Sequence, residues 1–126
     1  ALARPSLIIL DQIDPITGWK ADREDLRLGQ IYKWARQLGI RFKCAVLGVS
    51  QANNDAEGVE YLYMNHVANA KTEKQATADF IVGIGKNHQD AYQNLRFLNF
   101  MKNKLTGKHT KHEVIIDADR ARYRDI

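Results

Sequence analysis

The chain has 126 residues, 44% of them hydrophobic and 27% charged, enough for one ordinary domain, or part of one, that buries roughly 65% of its unfolded surface. Only 2 prolines and a lack of low-complexity tracts exclude a disordered or collagen-like chain, and the single cysteine, Cys44, excludes an internal disulfide framework and suits a reducing compartment. No apolar run approaches the about 20 residues of a membrane span, so a soluble, cytoplasmic protein is expected, and a net charge of +4 permits a phosphate-rich partner without requiring one.

Ser6-Leu-Ile-Ile-Leu10 is a short apolar run stopped by Asp11, which predicts a strand buried on both faces, as in a parallel sheet. Beyond the loop of Pro15 and Gly18, Leu26, Ile31, Trp34, Ala35 and Leu38 recur at helical spacing and predict a helix over 23–38, with Gly39 as its stop. Cys44 to Val49 predicts a second buried strand with Ser50 and Gln51 at its tip. The polar stretch from Ala52 to Thr77 exceeds ordinary connection lengths, which predicts a functional or mobile segment with a short helix around 59–69. Phe80 to Ile84 predicts a third strand, and the runs Arg96–Met101 and Glu113–Ile116, with a turn at Thr106-Gly107 between them, predict an edge hairpin. The alternation predicts one α/β unit: a mostly parallel sheet flanked by helices, with an antiparallel edge hairpin.

In open α/β sheets ligands bind at the carboxyl ends of the strands. A strand ending in aspartate delivers one carboxylate rigidly to a Mg²⁺ ion that keeps its waters and phosphate ligands, so Asp11 fits a Mg²⁺–nucleotide site, and equally fits a turn aspartate with no ligand. Ser50 and Gln51 at the neighbouring tip suit the positioning of a water or the sensing of a γ-phosphate, or the plain capping of a strand. The four histidines are scattered without metal-ligand spacing, and Trp19 and Trp34 read as packing residues.

Taken in order, Leu7-Ile-Ile-Leu-Asp11, Val46-Leu-Gly-Val-Ser-Gln51, Ala78-Asp79-Phe-Ile-Val and Phe100-Met-Lys-Asn-Lys104 with Thr106-Gly107 resemble the back half of the RecA-like motor of the DnaB-family hexameric replicative helicases, phage replicative helicases included. The resemblance runs over nearly the whole chain. It implies that Asp11 is the Walker B carboxylate holding the Mg²⁺ of ATP, that Ser50 and Gln51 lie at the nucleotide, and that Gln51 couples the γ-phosphate to the loop behind it. Asn53, Asn54, Lys71 and Lys74 would belong to that loop, tracking single-stranded DNA in the channel of a homo-hexamer; the lysines read equally as solvated loop charges. Lys102 and Lys104, two apart and so on one face of a strand, would reach the neighbouring subunit's nucleotide and share the catalytic work with Asp11 and Gln51. The family usually has arginine at the second of these positions. Lys104 keeps the charge but loses the bidentate fork, and two lysines also suit an exposed edge strand with no catalytic part. The resemblance further implies a primase and a helicase loader as partners, in a bacterial cell or phage-infected host.

The phosphate-cradling pattern Gly-x-x-x-x-Gly-Lys-Ser/Thr occurs nowhere in the 126 residues. In the resembled family it precedes the Walker B strand, so residues 1–126 are expected to be the C-terminal portion of a motor domain, inactive alone. A RecA- or RadA-like recombinase would share Asp11 and the Ser-Gln tip. A non-catalytic nucleic-acid-binding module would instead rely on the basic segment 96–126, with eight Lys and Arg against four Asp and Glu.

Overall fold

The computed structural model describes residues 3–68 and 71–126, Lys71 through its backbone alone. Two compact units are present, Ala1–Gln51 with Ala68–Ala78, and Ala52–Val67 with Asp79–Ile126.

In the first unit, β1 (Leu7–Leu10) and β2 (Ala45–Gly48) pair in parallel, Leu7 opposite Ala45 through Leu10 opposite Gly48. Parallel neighbours need a crossover, and α1 (Glu24–Phe42) supplies it. Its buried stripe is Leu28, Ile31 and Ala35, which close on Ile13 from the loop after β1, with Leu10, Trp34 and Val46 packed around them. Leu28 and Ile31 are fully enclosed, and each contributes about 1.5–3 kcal/mol by its burial. Leu26, expected on this stripe, faces out at 50% exposure, because the 28–31–35 spacing sets the inward face one position round the helix. Trp19 packs on Trp34 with ring centroids 5.1 Å apart.

α1 does not stop at Gly39. It runs on to Phe42 and ends at Lys43, in the left-handed region at φ 52°, whose N–H closes on the carbonyls of the last turn. Gly39 serves a close approach instead: a Cβ there would lie 3.1 Å from the Cys44 carbonyl oxygen and 3.3 Å from Val46 Cγ2. A second helix, α2 (Lys71–Thr77), packs against α1, where Lys33 pairs with Glu73 at 3.7 Å. The expectation of a strand buried on both faces is corrected: Leu7, Ile9 and Leu47 are 49%, 58% and 52% exposed. α1 packs on the face that carries Leu10 and Val46, while Leu7, Ile9 and Leu47 on the other face are about half exposed.

The second unit is an antiparallel sheet in the order β3 (Phe80–Gly85), β4 (Leu95–Asn103), β5 (Lys111–Asp117), β6 (Arg122–Asp125). The expected parallel pairing is thus that of β1 and β2, and the antiparallel flank is larger than a hairpin. Its buried apolar side chains are Leu62, Phe97 and Val114, and Phe80 lies edge-on to Phe100 at 4.7 Å. The register shifts between Ile81 and Val82, leaving Met101 as the extra residue of a bulge in β4.

Of the helix expected around 59–69, the described residues 59–68 form no α-helix, and residue 69 lies outside the described residues. The segment from Ala52 makes short 3₁₀ turns at Asn54–Ala56 and Met64–His66, and Ala52 and Val67 bridge its ends. Between the turns, the chain's backbone groups go to the sheet: the Asn99 carboxamide accepts the Leu62 N–H at 3.2 Å and donates to the Leu62 carbonyl at 2.6 Å, and the Lys86 N–H reaches the Val59 carbonyl at 3.2 Å. A Cβ on Gly85 would overlap the carbonyl oxygens of Val59 and Glu60. These tertiary bonds occupy the donors and acceptors that a local helix would use.

Candidate functional site

The parallel register of β1 and β2 brings two sequence motifs to one carboxyl edge. The Val49 N–H reaches the Leu10 carbonyl at 3.0 Å and the Ile13 N–H reaches the Val49 carbonyl at 2.9 Å, which stitches the residues beyond β1 to those beyond β2. Asp11 stands on this edge, exposed, one carboxylate oxygen accepting the Gln12 N–H at 3.1 Å. Its other oxygen is open to a cation. Among the described residues no three His, Cys, Asp or Glu side chains gather for a metal; Asp11 instead suits Mg²⁺, a hard ion that takes one or two carboxylates, keeps its waters and finds the rest of its shell in phosphate oxygens.

Ser50 and Gln51 follow β2 on the same edge. Gln51 is exposed, whereas Ser50 is drawn into a polar cluster that the sequence reading did not identify. Asp14 is its centre: one oxygen accepts the Ser50 hydroxyl at 2.7 Å and the Lys74 ammonium at 2.8 Å, and the other accepts the Tyr32 hydroxyl at 2.9 Å. Lys74 also donates to Ser50 Oγ at 3.0 Å and lies 5.4 Å from the Tyr32 ring centroid. Burial alone would raise the Asp14 carboxyl, but the hydrogen bonds from Lys74, Ser50 and Tyr32, with the Lys74 charge, hold it below its ordinary 3.8. Burial pushes the Tyr32 hydroxyl well above its ordinary 10, the Asp14 charge adding to the rise and the Ser50 hydrogen bond opposing it. Arg27 of α1 fixes the Asp14 loop from behind, donating to the carbonyls of Asp14 at 2.8 Å and Ile16 at 2.9 Å.

The residues expected to contact DNA divide among different surroundings. Lys74 is 3% exposed and engaged by Asp14 and Ser50, so in this structure its ammonium is not offered to a phosphate. The Lys71 side chain lies outside the described residues. Asn53 shapes its own loop, its side chain accepting the Asp55 N–H at 3.1 Å and donating to the Asn65 carbonyl at 2.7 Å. Asn54 is exposed beside it and, with Asn53, Gly58, Lys86 and His88, lines an open cleft of about 300 Å³ in the second unit.

Lys102 and Lys104 do not share a strand. Lys102 ends the run of β4 before Asn103, and Lys104 opens the turn beyond it. The cause is Asn103, whose side-chain oxygen accepts the N–H groups of Leu105 and Thr106 at 3.0 and 3.2 Å and bends the chain; Gly107 closes the turn at φ +69°. Lys104 is half exposed, its backbone N–H on the Asp79 carbonyl at 3.0 Å and its ammonium 3.6 Å from the Asp79 carboxylate.

Asp14 and Tyr32 were the residues missed. Asp14 carried one usable signal, an acidic residue three positions beyond the Asp11 strand end and so near the Ser50 tip; Tyr32 carried none, because one tyrosine beside a helix's apolar stripe is ordinary.

A crossover-linked parallel pair with aspartate at one tip and Ser-Gln at the next, followed by an antiparallel flank, is the frame of a RecA-like ATPase fold. Over 95% of its length the chain matches a solved ATPase domain, with a TM-score of 0.81 and 12% identity, and covers 44% of that chain. It also matches a DnaB-like replicative helicase, solved with its interactions with primase, at a TM-score of 0.76 and 13% identity, covering 31% of that chain. The fold expected from the four motifs is therefore the fold observed, and the chain spans less than half of either structure. No family model and no curated protein matches the sequence. Among the described residues no helix is long and apolar enough to cross a membrane.

Proposed function

We propose that this chain is the C-terminal portion of the motor domain of a ring-forming, ATP-dependent replicative DNA helicase that translocates on single-stranded DNA. The observation that carries the reading is the shared edge of β1 and β2, with Asp11 and Ser50-Gln51 on it, in a fold that follows a solved ATPase domain and a DnaB-like replicative helicase, each over 95% of the chain. Asp11 would hold Mg²⁺, which when bound neutralises charge on the ATP phosphates. Gln51, exposed beside it, is suited to read the γ-phosphate and pass its state to the segment behind. On that segment Asn54 and Asn53, with Lys86 and His88 across the cleft, form the surface toward the DNA backbone. Lys104, and Lys102 next to it on β4, would meet the nucleotide of the neighbouring subunit in a homo-hexamer. A primase and a loader are partners in keeping with this role, and the cytoplasm of a bacterial or phage-infected cell is its setting.

The test is Asp11→Asn in the protein that carries both a phosphate-binding loop and this chain. Losing one Mg²⁺ carboxylate should lower ATP turnover by on the order of 10³-fold with the fold unchanged. Wild-type turnover by the variant would leave Asp11 structural and remove the motor reading.

A further inference from the structure

Lys74 is the most deeply buried charged side chain among the described residues, and it does not lie where a DNA-contacting lysine must. Its three donors are directed at Asp14 Oδ2, Ser50 Oγ and the face of Tyr32, at 2.8 Å, 3.0 Å and, to the ring centroid, 5.4 Å. Ser50 is the pivot, since its hydroxyl donates to Asp14 while its oxygen accepts from Lys74. A rotation of Ser50 would break both of its bonds at once and leave the buried Lys74 ammonium with the Asp14 carboxylate and the Tyr32 face alone.

The positions of these groups along the chain give the cluster its consequence. Ser50 immediately precedes Gln51, Lys74 lies midway along the seven-residue α2, and the segment that begins at Ala52 runs between them. Asp14 belongs to the loop that starts at Asp11. Three parts of the chain that the proposed motor must coordinate, the metal carboxylate's loop and the two ends of the segment toward DNA, therefore meet on one carboxylate. We infer that Asp14, Ser50 and Lys74, seated on Tyr32, form a positioning cluster that sets how strongly single-stranded DNA on the 52–68 segment changes ATP turnover at the Asp11 edge. The inference rests on the motor reading. None of the four residues need touch DNA or the reacting phosphate; they act through the placement of Gln51 and of α2.

The experiment compares the ratio of DNA-stimulated to unstimulated ATP turnover in the full motor protein, using a single-stranded oligothymidylate. Asp14→Asn alone strands the Lys74 charge and risks unfolding. The paired change Asp14→Asn with Lys74→Met removes both charges, which proteins commonly tolerate. Expected for the pair is a melting temperature near wild type and a stimulation ratio lowered about five-fold, with Tyr32→Phe, which keeps both charges and the ring, lowered about two-fold. A cluster that only supports the fold would move the melting temperature and leave the ratio alone, and an unchanged ratio in a folded pair overturns the inference. Should the pair not fold, Tyr32→Phe decides by the same criterion. A wild-type motor that DNA does not stimulate overturns the motor reading, and this inference with it.

Discussion

At the scale of single residues, neighbouring carboxylates take opposite roles because their surroundings differ. Asp11 and Asp14 are three positions apart, yet Asp11 is exposed with one hydrogen bond and Asp14 collects three side-chain donors. The first is open to a ligand and the second is engaged by Tyr32, Ser50 and Lys74. Asp14's held-down carboxyl makes stability depend on pH with a definite sign. Because the folded value lies below the unfolded one, the stabilisation is complete above about pH 4 and is lost as the pH falls through the folded value. Urea midpoints measured from pH 6 to pH 2 should therefore fall more steeply for the wild-type chain than for the Asp14→Asn, Lys74→Met pair; parallel curves would show that Asp14 is not coupled to folding. Gln51 lies on the exposed side of the same edge, so Gln51→Ala should leave nucleotide affinity within about two-fold while DNA stimulation falls at least about ten-fold. Nucleotide titration beside turnover measurements separates the two.

At the scale of elements, what was legible in the sequence is what local pattern controls. The run Leu7–Leu10, the helical spacing through Ala35 and the run ending at Gly48 sufficed for β1, α1 and β2, since each buries a face that its own periodicity defines. The segment 52–67 was not legible, because its path is set by partners far away: the Asn99 carboxamide on both Leu62 backbone groups and the bare Cα of Gly85 under Val59 and Glu60. The strand assignment of Lys104 failed for a related reason, one asparagine side chain ending β4 a residue early. Asp11 and the Ser50-Gln51 tip were placed on a common edge from the sequence; the burial of Lys74 was not, as a lysine in a polar stretch carries no sign that a carboxylate 60 positions away will enclose it. Two stability measurements check this view of 52–67. Asn99→Ala should cost about 2–4 kcal/mol, by leaving the Leu62 N–H and carbonyl unpaired in a buried place. Gly85→Ala should cost about 3 kcal/mol or more, since its Cβ meets backbone that cannot rotate away. Denaturant unfolding reads both, and a loss under about 0.5 kcal/mol for either would show the segment free of the sheet.

At the scale of the whole molecule, Leu7, Ile9 and Leu47 mark one face of the β1–β2 pair as apolar and about half exposed, and the chain spans 44% of a matched ATPase domain. In the proposed motor, a segment carrying the phosphate loop would cover that face. In the proposed ring Lys104 acts across a subunit boundary, so the loss of its charge must be complemented in trans. In mixed rings, a Lys104→Ala subunit should hydrolyse its own nucleotide when its neighbour is intact, while the site its turn faces loses on the order of 10³-fold; equal loss at both sites would place Lys104 within its own subunit. The most direct measurement is Mg²⁺-dependent ATP turnover with and without single-stranded DNA, run side by side on the 126-residue chain and on the protein that joins it to a phosphate-binding loop. The expected result is DNA-stimulated turnover by the longer protein and none by the chain alone. Turnover by the 126 residues themselves, or a longer protein indifferent to both ATP and DNA, would contradict it.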